Sequence, residues 1–322
     1  MNLDYLIFGG SGFIGTHISN YLNNTGESFF IADIIKPVQN DFTFEFSDVR
    51  KKISLNLEKS SVDTIINLAA VHKTPGHNHN EYFDTNIKGA MNVCDFARKN
   101  NINTIIFTSS IAVYGTYEEK KSEQTLPMPD IPYGISKLTA EYIHKQWYSE
   151  DPANRRLLIL RPGVVFGMYE KANFTRLINS LNGRYFVYVG RKDTKKACVY
   201  VKDLVHALMV ISKDKSIKYE IFNVAYSPTL SIEKIVRSVS KIGGFKLPRF
   251  VFPKLIVFFL SSILYYIFKK KDFNPSRMNK LIVSNNIDAK KINKMIKFNF
   301  GFSKGIADWM DDVDFKNNKK IY

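Results

Sequence analysis

Acidic residues are scarce in this 322-residue chain, with 30 Asp and Glu against 46 Lys and Arg. Cysteine is scarcer still. The two present, Cys94 and Cys198, stand far apart with no CxxC and no Cys/His cluster, which excludes a disulfide framework and a structural zinc site. No metal is expected. No apolar run reaches the roughly 20 residues that span a bilayer. The most apolar stretch, Val251 to Phe268, is interrupted by Pro253 and Lys254 and leaves 14 residues after them. The first residues read as a strand of the fold rather than as a signal peptide, so a reducing cytoplasm is the expected compartment. The net charge of +16 would point to nucleic acid if it were focused on a binding motif. Instead the lysines spread along the chain and thicken from Lys269 to Lys320, the pattern of a solvated surface; no nucleic-acid partner is expected. At 45% hydrophobic content the chain can bury one large α/β unit and a smaller lobe.

What the chain does have is a glycine turn almost at its start. Leu3 to Phe8 reads as a short strand, and Gly9-Gly10-Ser11-Gly12-Phe13-Ile14-Gly15 leads straight into apolar residues at helical spacing. A strand, a glycine-rich turn and a helix form a phosphate cradle. Gly9 permits the turn, Gly12 lets backbone approach a pyrophosphate, and Gly15 lets the helix pack close to the strand. The unpaired N–H groups of the helix start, at Phe13 and Ile14, then face the anion. The next apolar run, Ser28 to Ala32, ends at Asp33. A carboxylate there accepts both ribose hydroxyls of NAD and repels the 2′-phosphate of NADP.

Strand and helix patterns go on alternating. Phe42–Phe46, Asp63–Ala70 and Asn103–Thr108 read as strands, and Tyr82–Arg98 as a helix. This predicts a Rossmann-type, doubly wound parallel sheet with its ligand site beyond the strands' carboxyl ends. There Ala69 and Ala70 leave room for a flat ligand. The last strand ends in Ser109-Ser110, and Tyr133-Gly134-Ile135-Ser136-Lys137 opens a helix behind Pro132. Tyr133 and Lys137, four apart, share a helical face. A free phenol titrates near 10, and making it a base near pH 7 takes about 4 kcal/mol. One ammonium at about 4 Å supplies that much at an effective dielectric near 20. Lys137, helped by a positive nicotinamide ring, is therefore expected to ready Tyr133 to take a hydroxyl proton while Ser110 orients the oxygen.

Taken together, GGSGFIG, Asp33, Asp48-Val49, Asn67-Leu68-Ala69-Ala70, Asn86, SSIAVYG, YGISK and Arg161-Pro162-Gly163 resemble an extended short-chain dehydrogenase/reductase of the NAD-dependent sugar epimerase/dehydratase family. The resemblance covers Met1 to about Leu208, and Tyr200-Val201-Lys202-Asp203 matches a segment of the family's substrate lobe. It implies that Asp48 and the Val49 backbone bind adenine, that Leu68, Ala69 and Ala70 line the cofactor, and that Asn86 lies near the nicotinamide. The implied division is a nucleotide-binding domain over 1–165, to which about 195–225 returns, and a mainly substrate-binding lobe over 166–322. In the lobe, Asn173-Phe174 resembles the place where relatives hold a substrate diphosphate at a helix start. Arg176, Arg184, Arg191 and Arg277 are candidate phosphate partners, with Arg277 the one carried forward beside Asn173.

Departures narrow the chemistry. Sugar 4,6-dehydratases carry an Asp-Glu pair where this chain has Ile111-Ala112, nucleotide-sugar decarboxylases a Glu at the second position, and GDP-fucose synthase a Cys at the first. What remains is oxidation and reduction at one carbinol, expected as 4-epimerisation of a UDP-hexose or UDP-N-acetylhexosamine in surface polysaccharide synthesis. The alternatives are a reductase of a 4-keto-6-deoxy nucleotide sugar and a membrane-associated hydroxysteroid-type dehydrogenase. A non-catalytic NAD-sensing module is disfavoured by the intact Ser110, Tyr133 and Lys137. A homodimer is expected. The 251–268 segment is expected to lie mostly buried against its own lobe or a partner subunit, with Ser261-Ser262 a point where it could break into two packed helices. Peripheral contact with the inner face of a membrane through its basic flanks is the lesser reading.

Overall fold

The computed structural model describes residues 2–39, 41–57, 61–72, 76–116, 118–266 and 282–318, and these fall into two compact units. The first unit takes Met1–Gly115, Thr125–Pro162 and Leu204–Val224. Its centre is a seven-stranded parallel sheet, built from β1 (Asn2–Phe8), β2 (Phe29–Asp33), β3 (Phe44–Phe46), β4 (Ser61–Asn67), β5 (Thr104–Thr108), β6 (Arg156–Pro162) and the strand Tyr219–Val224. Across the sheet the order is Tyr219–Val224, β6, β5, β4, β1, β2, β3. The chain runs outward from β1 through β2 to β3, then returns to lay β4 on β1's other side. That reversal places a crevice at the carboxyl ends of β1 and β4, where such sheets take their ligands. Every residue of β5 and β6 is buried, as expected of strands covered on both faces.

The helices covering this sheet follow the sequence pattern with one irregularity. They include α1 (Phe13–Thr25), α2 (His79–Tyr82), α3 (Gly89–Lys99) and α4 (Pro132–Ser149), with most of a further helix, Val201–Lys213. The run predicted as one helix from Tyr82 is broken by a π-helical segment, Phe83–Lys88. Such segments rotate the residues beyond them relative to those before, and they are frequent at functional sites. Asn86 lies within it and is buried. Gly89 follows because a Cβ there would stand 2.9 Å from the Val49 Cγ2. His144 on α4 is a core residue, stacked on Phe107 at 4.2 Å. Burial pulls its imidazole down to about 4. Its Nδ1 faces the Ala140 carbonyl and its Nε2 the Asn67 amide, which assigns the proton to Nδ1.

The second unit takes Thr116–Gln124, Gly163–Asp203 and Ala225–Tyr322. It is held by an aromatic cluster, Phe166, Phe174, Tyr200, Phe302 and Trp309, and by one buried carboxylate. Asp203 accepts hydrogen bonds from the Tyr226 hydroxyl at 2.7 Å and from the backbone N–H groups of Phe300 and Gly301 at 3.0 and 2.9 Å. These donors come from sequence positions up to 98 residues away.

The apolar segment corrects two expectations. It forms a short strand, Val251–Phe252, and one continuous helix, Lys254–Tyr266, that passes unbroken through Ser261-Ser262. Ser261 stays inside the helix because its hydroxyl donates to the Phe258 carbonyl at 2.9 Å, one turn back. Nor is the helix mostly buried against its own unit: Leu255 is 81% exposed and Phe259 68% exposed. Ile267 and Phe268 lie outside the described residues. Among the described residues no helix is long and apolar enough to cross a membrane, and no group of His, Cys, Asp or Glu is placed to hold a metal ion.

Candidate active site

The glycine turn joins β1 to α1. Gly9 has φ +77, and a Cβ on it would stand 2.8 Å from the Ala69 backbone nitrogen, so both its conformation and the close approach of the β4 extension demand glycine. Gly15 answers a different contact from the one expected. Its Cβ would meet the carbonyl oxygens of Gly9 and Gly10 at 2.5 Å, so it lets the helix close onto the turn rather than onto the strand. Gly12 is the informative one. A Cβ there would find only the Gly9 carbonyl, at 3.3 Å, so the protein's own packing leaves room that a ligand's approach would use. Gly12 is also the N-cap of α1 and offers no side-chain cap to the helix start at Phe13 and Ile14. Among the described residues, the Ser11 hydroxyl in this turn is buried without a hydrogen-bond partner. An open cradle with an orphaned hydroxyl fits a dinucleotide pyrophosphate.

Asp33 closes β2 beside the turn. Ser11 N–H donates to its Oδ2 at 3.0 Å and Ile35 N–H to its Oδ1 at 3.1 Å, which fixes the carboxylate's plane. Burial raises its pKa, opposed by these backbone donors. A held carboxylate at this position can accept two ribose hydroxyls. Hydrogen bonds to a charged group contribute about 1.5–3 kcal/mol, roughly ten- to hundredfold in affinity. NAD is therefore expected to bind at least tenfold more tightly than NADP, and Asp33→Ala to shrink the gap. Calorimetry on both proteins is the check, and equal affinities for the unaltered protein would rule out this role for Asp33.

The other residues expected at the cofactor have the following surroundings. Leu68 N–H donates to the Phe8 carbonyl at 2.9 Å, and Ala69 N–H to the Asn67 Oδ1 at 3.3 Å; Ala70 follows, half-buried. Asp48 is already engaged with Arg50, whose Nε and Nη2 donate to it at 2.9 and 2.8 Å. That partner holds its carboxyl below the ordinary range. Val49 is buried, and its carbonyl accepts from the Asn92 amide at 2.7 Å. Asn86 ties the crevice together: it donates to the Val71 carbonyl at 3.0 Å and to the Ser136 hydroxyl at 2.9 Å, and accepts from Val71 N–H at 2.8 Å.

The structure brings Ser110, Tyr133 and Lys137 together within this first unit. Ser110 follows β5 with extended backbone (φ −162), and its Oγ accepts from Ala112 N–H at 3.1 Å. Tyr133 sits in the first turn of α4, where a Cβ on the adjacent Gly134 would stand 2.5 Å from the Ala112 carbonyl. That close approach seats the helix start directly on the turn after β5. The Ser110 hydroxyl acts on the Tyr133 phenol in the direction of a lower pKa. Lys137 is buried, with Nζ donating to the Thr108 carbonyl at 2.7 Å and lying 4.7 Å from the Phe107 ring centroid.

The expected lowering of the phenol is not what the protein's own groups produce. Burial pushes Tyr133 up to about 12, against the pull of Ser110. Burial also pulls Lys137 down to about 7, opposed by Glu141. Lys137 spends its strongest hydrogen bond on Thr108, and the dry setting that strengthens electrostatics here also disfavours each charged form.

Sequence reasoning missed the polar network behind this pair. Arg161 and Glu141, 3% and 5% exposed at their side chains, form a two-pronged ion pair, with Nε to Oε1 at 2.9 Å and Nη2 to Oε2 at 2.5 Å. Ser109 donates to the same carboxylate, and Arg161 Nη1 reaches the Tyr114 hydroxyl at 2.8 Å. Tyr114 in turn donates to Asn223 at 2.8 Å. Arg161 was visible as part of a motif, but nothing local connects it to Glu141.

The candidate substrate residues belong to the second unit. Asn173 opens the helix Asn173–Asn182 and is exposed. Two donors at this helix start are taken, since Glu170 accepts from the N–H groups of Ala172 and Thr175, both at 2.9 Å. Arg191 is paired with Glu118, while Arg176 and Arg184 are exposed. Arg277 lies outside the described residues.

Comparison with known proteins points the same way as the geometry. Over 299 residues, 91% of this chain and 89% of the relative, the chain is 32% identical to an N-acetyl-α-D-glucosaminyl-diphospho-ditrans,octacis-undecaprenol 4-epimerase of Escherichia coli O157:H7. Its fold is similar to that of a UDP-N-acetylglucosamine 4-epimerase from Bacillus cereus, with a TM-score of 0.76 at 20% identity over 97% of both chains. It is also similar to a Thermus thermophilus UDP-glucose 4-epimerase in complex with NAD, with a TM-score of 0.73 at 19% identity over 97% of this chain and 99% of the other. Residues 5–225 match the NAD dependent epimerase/dehydratase family, and the chain belongs to that family.

Proposed function

We propose that the protein is an NAD-dependent 4-epimerase acting on a UDP-hexose or UDP-N-acetylhexosamine in surface polysaccharide synthesis. The observation that carries this reading is the placing of Ser110 just after β5 against the start of α4, which bears Tyr133 and the buried Lys137, with Ile111 and Ala112 following Ser110, neither of which can exchange a proton. NAD, which the Gly9–Gly15 turn and Asp33 would hold, would supply the hydride acceptor, and then donor, for inversion at the carbinol carbon. Tyr133 removes the proton of the C4 hydroxyl as the hydride leaves and restores it on return; Ser110 holds the oxygen in place. Lys137 supplies the positive charge that favours the phenolate during proton removal. With no side-chain acid or base at 111 or 112, elimination of water from neighbouring carbons has no proton shuttle, so the sugar keeps its oxygens.

A second carrier has a specific observation in its favour. The Escherichia coli relative is named for a sugar on undecaprenyl diphosphate, and the chemistry at C4 is the same whichever group the diphosphate carries. The test supplies UDP-glucose, UDP-N-acetylglucosamine and N-acetylglucosaminyl-diphospho-undecaprenol separately, with no added cofactor, and follows C4 epimers by proton NMR. Epimers from at least one of them, with no net NADH released, are expected. No epimer from any, together with reduction of a 4-keto-6-deoxy sugar once NADH or NADPH is added, would replace this reading with the reductase.

A further inference from the structure

The second unit carries an apolar surface that stands exposed among the described residues. Leu255 and Phe259, whose exposure is given above, share one face of the Lys254–Tyr266 helix with Tyr266, which is 72% exposed. Phe250, 75% exposed, precedes the Val251–Phe252 strand. That strand pairs with Tyr188–Val189, which brings exposed Tyr185 and Val187 to the same edge of the unit. The opposite face of the helix, with Ser261 buried and Phe258 half-buried, is the one turned inward. A soluble surface helix would be polar on the outward face; here both faces are apolar.

Beside this patch lies a cavity of about 290 Å³ lined by Tyr188, Lys192, Glu233, Arg237, Lys246 and Arg249, among others. Its one acid, Glu233, is matched by Arg237 at 2.9 Å, which leaves Lys192, Lys246 and Arg249 as surplus positive charge. From Gly244 to Lys271 the sequence holds six basic residues and no acidic one. Aromatic and aliphatic residues at the apolar face, with cations at its border, are the arrangement of a surface that lies on a bilayer.

We infer that this face docks on an anionic phospholipid bilayer, with Phe250, Leu255 and Phe259 entering the acyl boundary and Lys192, Lys246 and Arg249 meeting headgroup phosphates. A helix of 13 residues is about 20 Å long, short of the roughly 30 Å hydrocarbon core, so it lies in the interface and does not span it. Charge separates this occupant from a second copy of the chain. A two-fold interface sets the same patch against itself and would bring like cations together, with the cavity's one acid, Glu233, already paired to Arg237. An anionic membrane complements the charge and accepts the apolar residues at once. The inference does not depend on which diphosphate carries the sugar.

The test is sedimentation of the full chain with phosphatidylcholine vesicles and with vesicles rich in phosphatidylglycerol, at about 0.1 M and about 1 M salt. Binding about tenfold or more stronger on the anionic vesicles is expected at low salt, with a fraction that survives high salt, because inserted apolar area is not screened. Leu255→Glu with Phe259→Glu, both on the exposed face, should abolish binding at either salt; circular dichroism checks that the fold is kept. Lys246→Glu with Arg249→Glu should remove the salt-sensitive part. The inference is overturned if the unaltered chain stays in the supernatant with both vesicle types, or if both double variants sediment as it does. It is also overturned if Leu255→Glu with Phe259→Glu turns a dimer into a monomer while vesicle binding is unchanged, which would make the face a contact between copies.

Discussion

Tyr133→Phe should lower turnover by about 10²- to 10⁴-fold, the usual contribution of a positioned general acid–base group, while NAD still binds. The substitution removes one oxygen and keeps the ring that lies 6.3 Å from Tyr82. Its structural cost is at most that of one hydrogen bond, about 1 kcal/mol, too little to unfold the unit. Lys137→Met should act differently. Lys137 donates to the Thr108 carbonyl beside the crevice and is proposed also to reach the nicotinamide ribose, so its loss should weaken NAD binding and turnover together. The two variants are compared by NAD calorimetry and by the NMR assay of C4 epimers. Tyr133→Phe retaining most of its activity would remove Tyr133 from the role of base, and Lys137→Met with unchanged NAD affinity would remove Lys137 from the cofactor.

How much of this was legible in the sequence depended on the range of the interactions. The sheet was readable because β1, β2, β4 and β5 each carry a short apolar core, and because a glycine turn and a Tyr/Lys pair are signals of a few residues each; β6, with Arg156 and Arg161 buried in it, was not read as a strand. Asp33 was readable from its place at the end of a strand. The π-helical segment Phe83–Lys88 was not, since apolar spacing cannot distinguish one extra residue in a turn from ordinary scatter. Arg50's hold on Asp48 and Glu170's occupation of the helix start at Asn173 are local, yet they compete with the ligand roles that motif matching assigns to those positions. Asp203 was matched as part of a motif, but its donors at Phe300 and Gly301 could come only from the folded chain. Burial of the apolar helix against its own lobe was expected because hydrophobicity predicts burial, and the exposed Leu255 and Phe259 depart from that rule, as apolar faces that meet something outside their own chain do.

Glu141→Leu should destabilise the first unit by about 3–5 kcal/mol, the cost of leaving a buried charge without its partner. Arg161 would keep only the Tyr114 hydroxyl at 2.8 Å in a setting where its side chain is 3% exposed. The pair's importance lies in what it spans. Glu141 stands on α4 one turn beyond Lys137, Arg161 on β6, and Ser109 next to Ser110 at the end of β5. Tyr114, bonded to Arg161, closes the short 3₁₀ turn that begins after Ser110. The network therefore fixes the helix that carries Tyr133 and Lys137 against the strand end that carries Ser110, and a shift of about 1 Å between them could cost about a hundredfold in rate. Glu141→Gln, which keeps the shape and some hydrogen bonds, should lose less stability than Glu141→Leu and should still lower kcat. Replacing both partners, Glu141→Leu with Arg161→Met, removes the stranded charge and should recover much of the stability lost in Glu141→Leu, yet without restoring turnover. Urea unfolding of the three variants, read alongside the epimer assay, separates the two effects. If Glu141→Leu unfolds within about 1 kcal/mol of the unaltered protein, water must reach Arg161, and the dry, rigid support assigned to this pair is wrong.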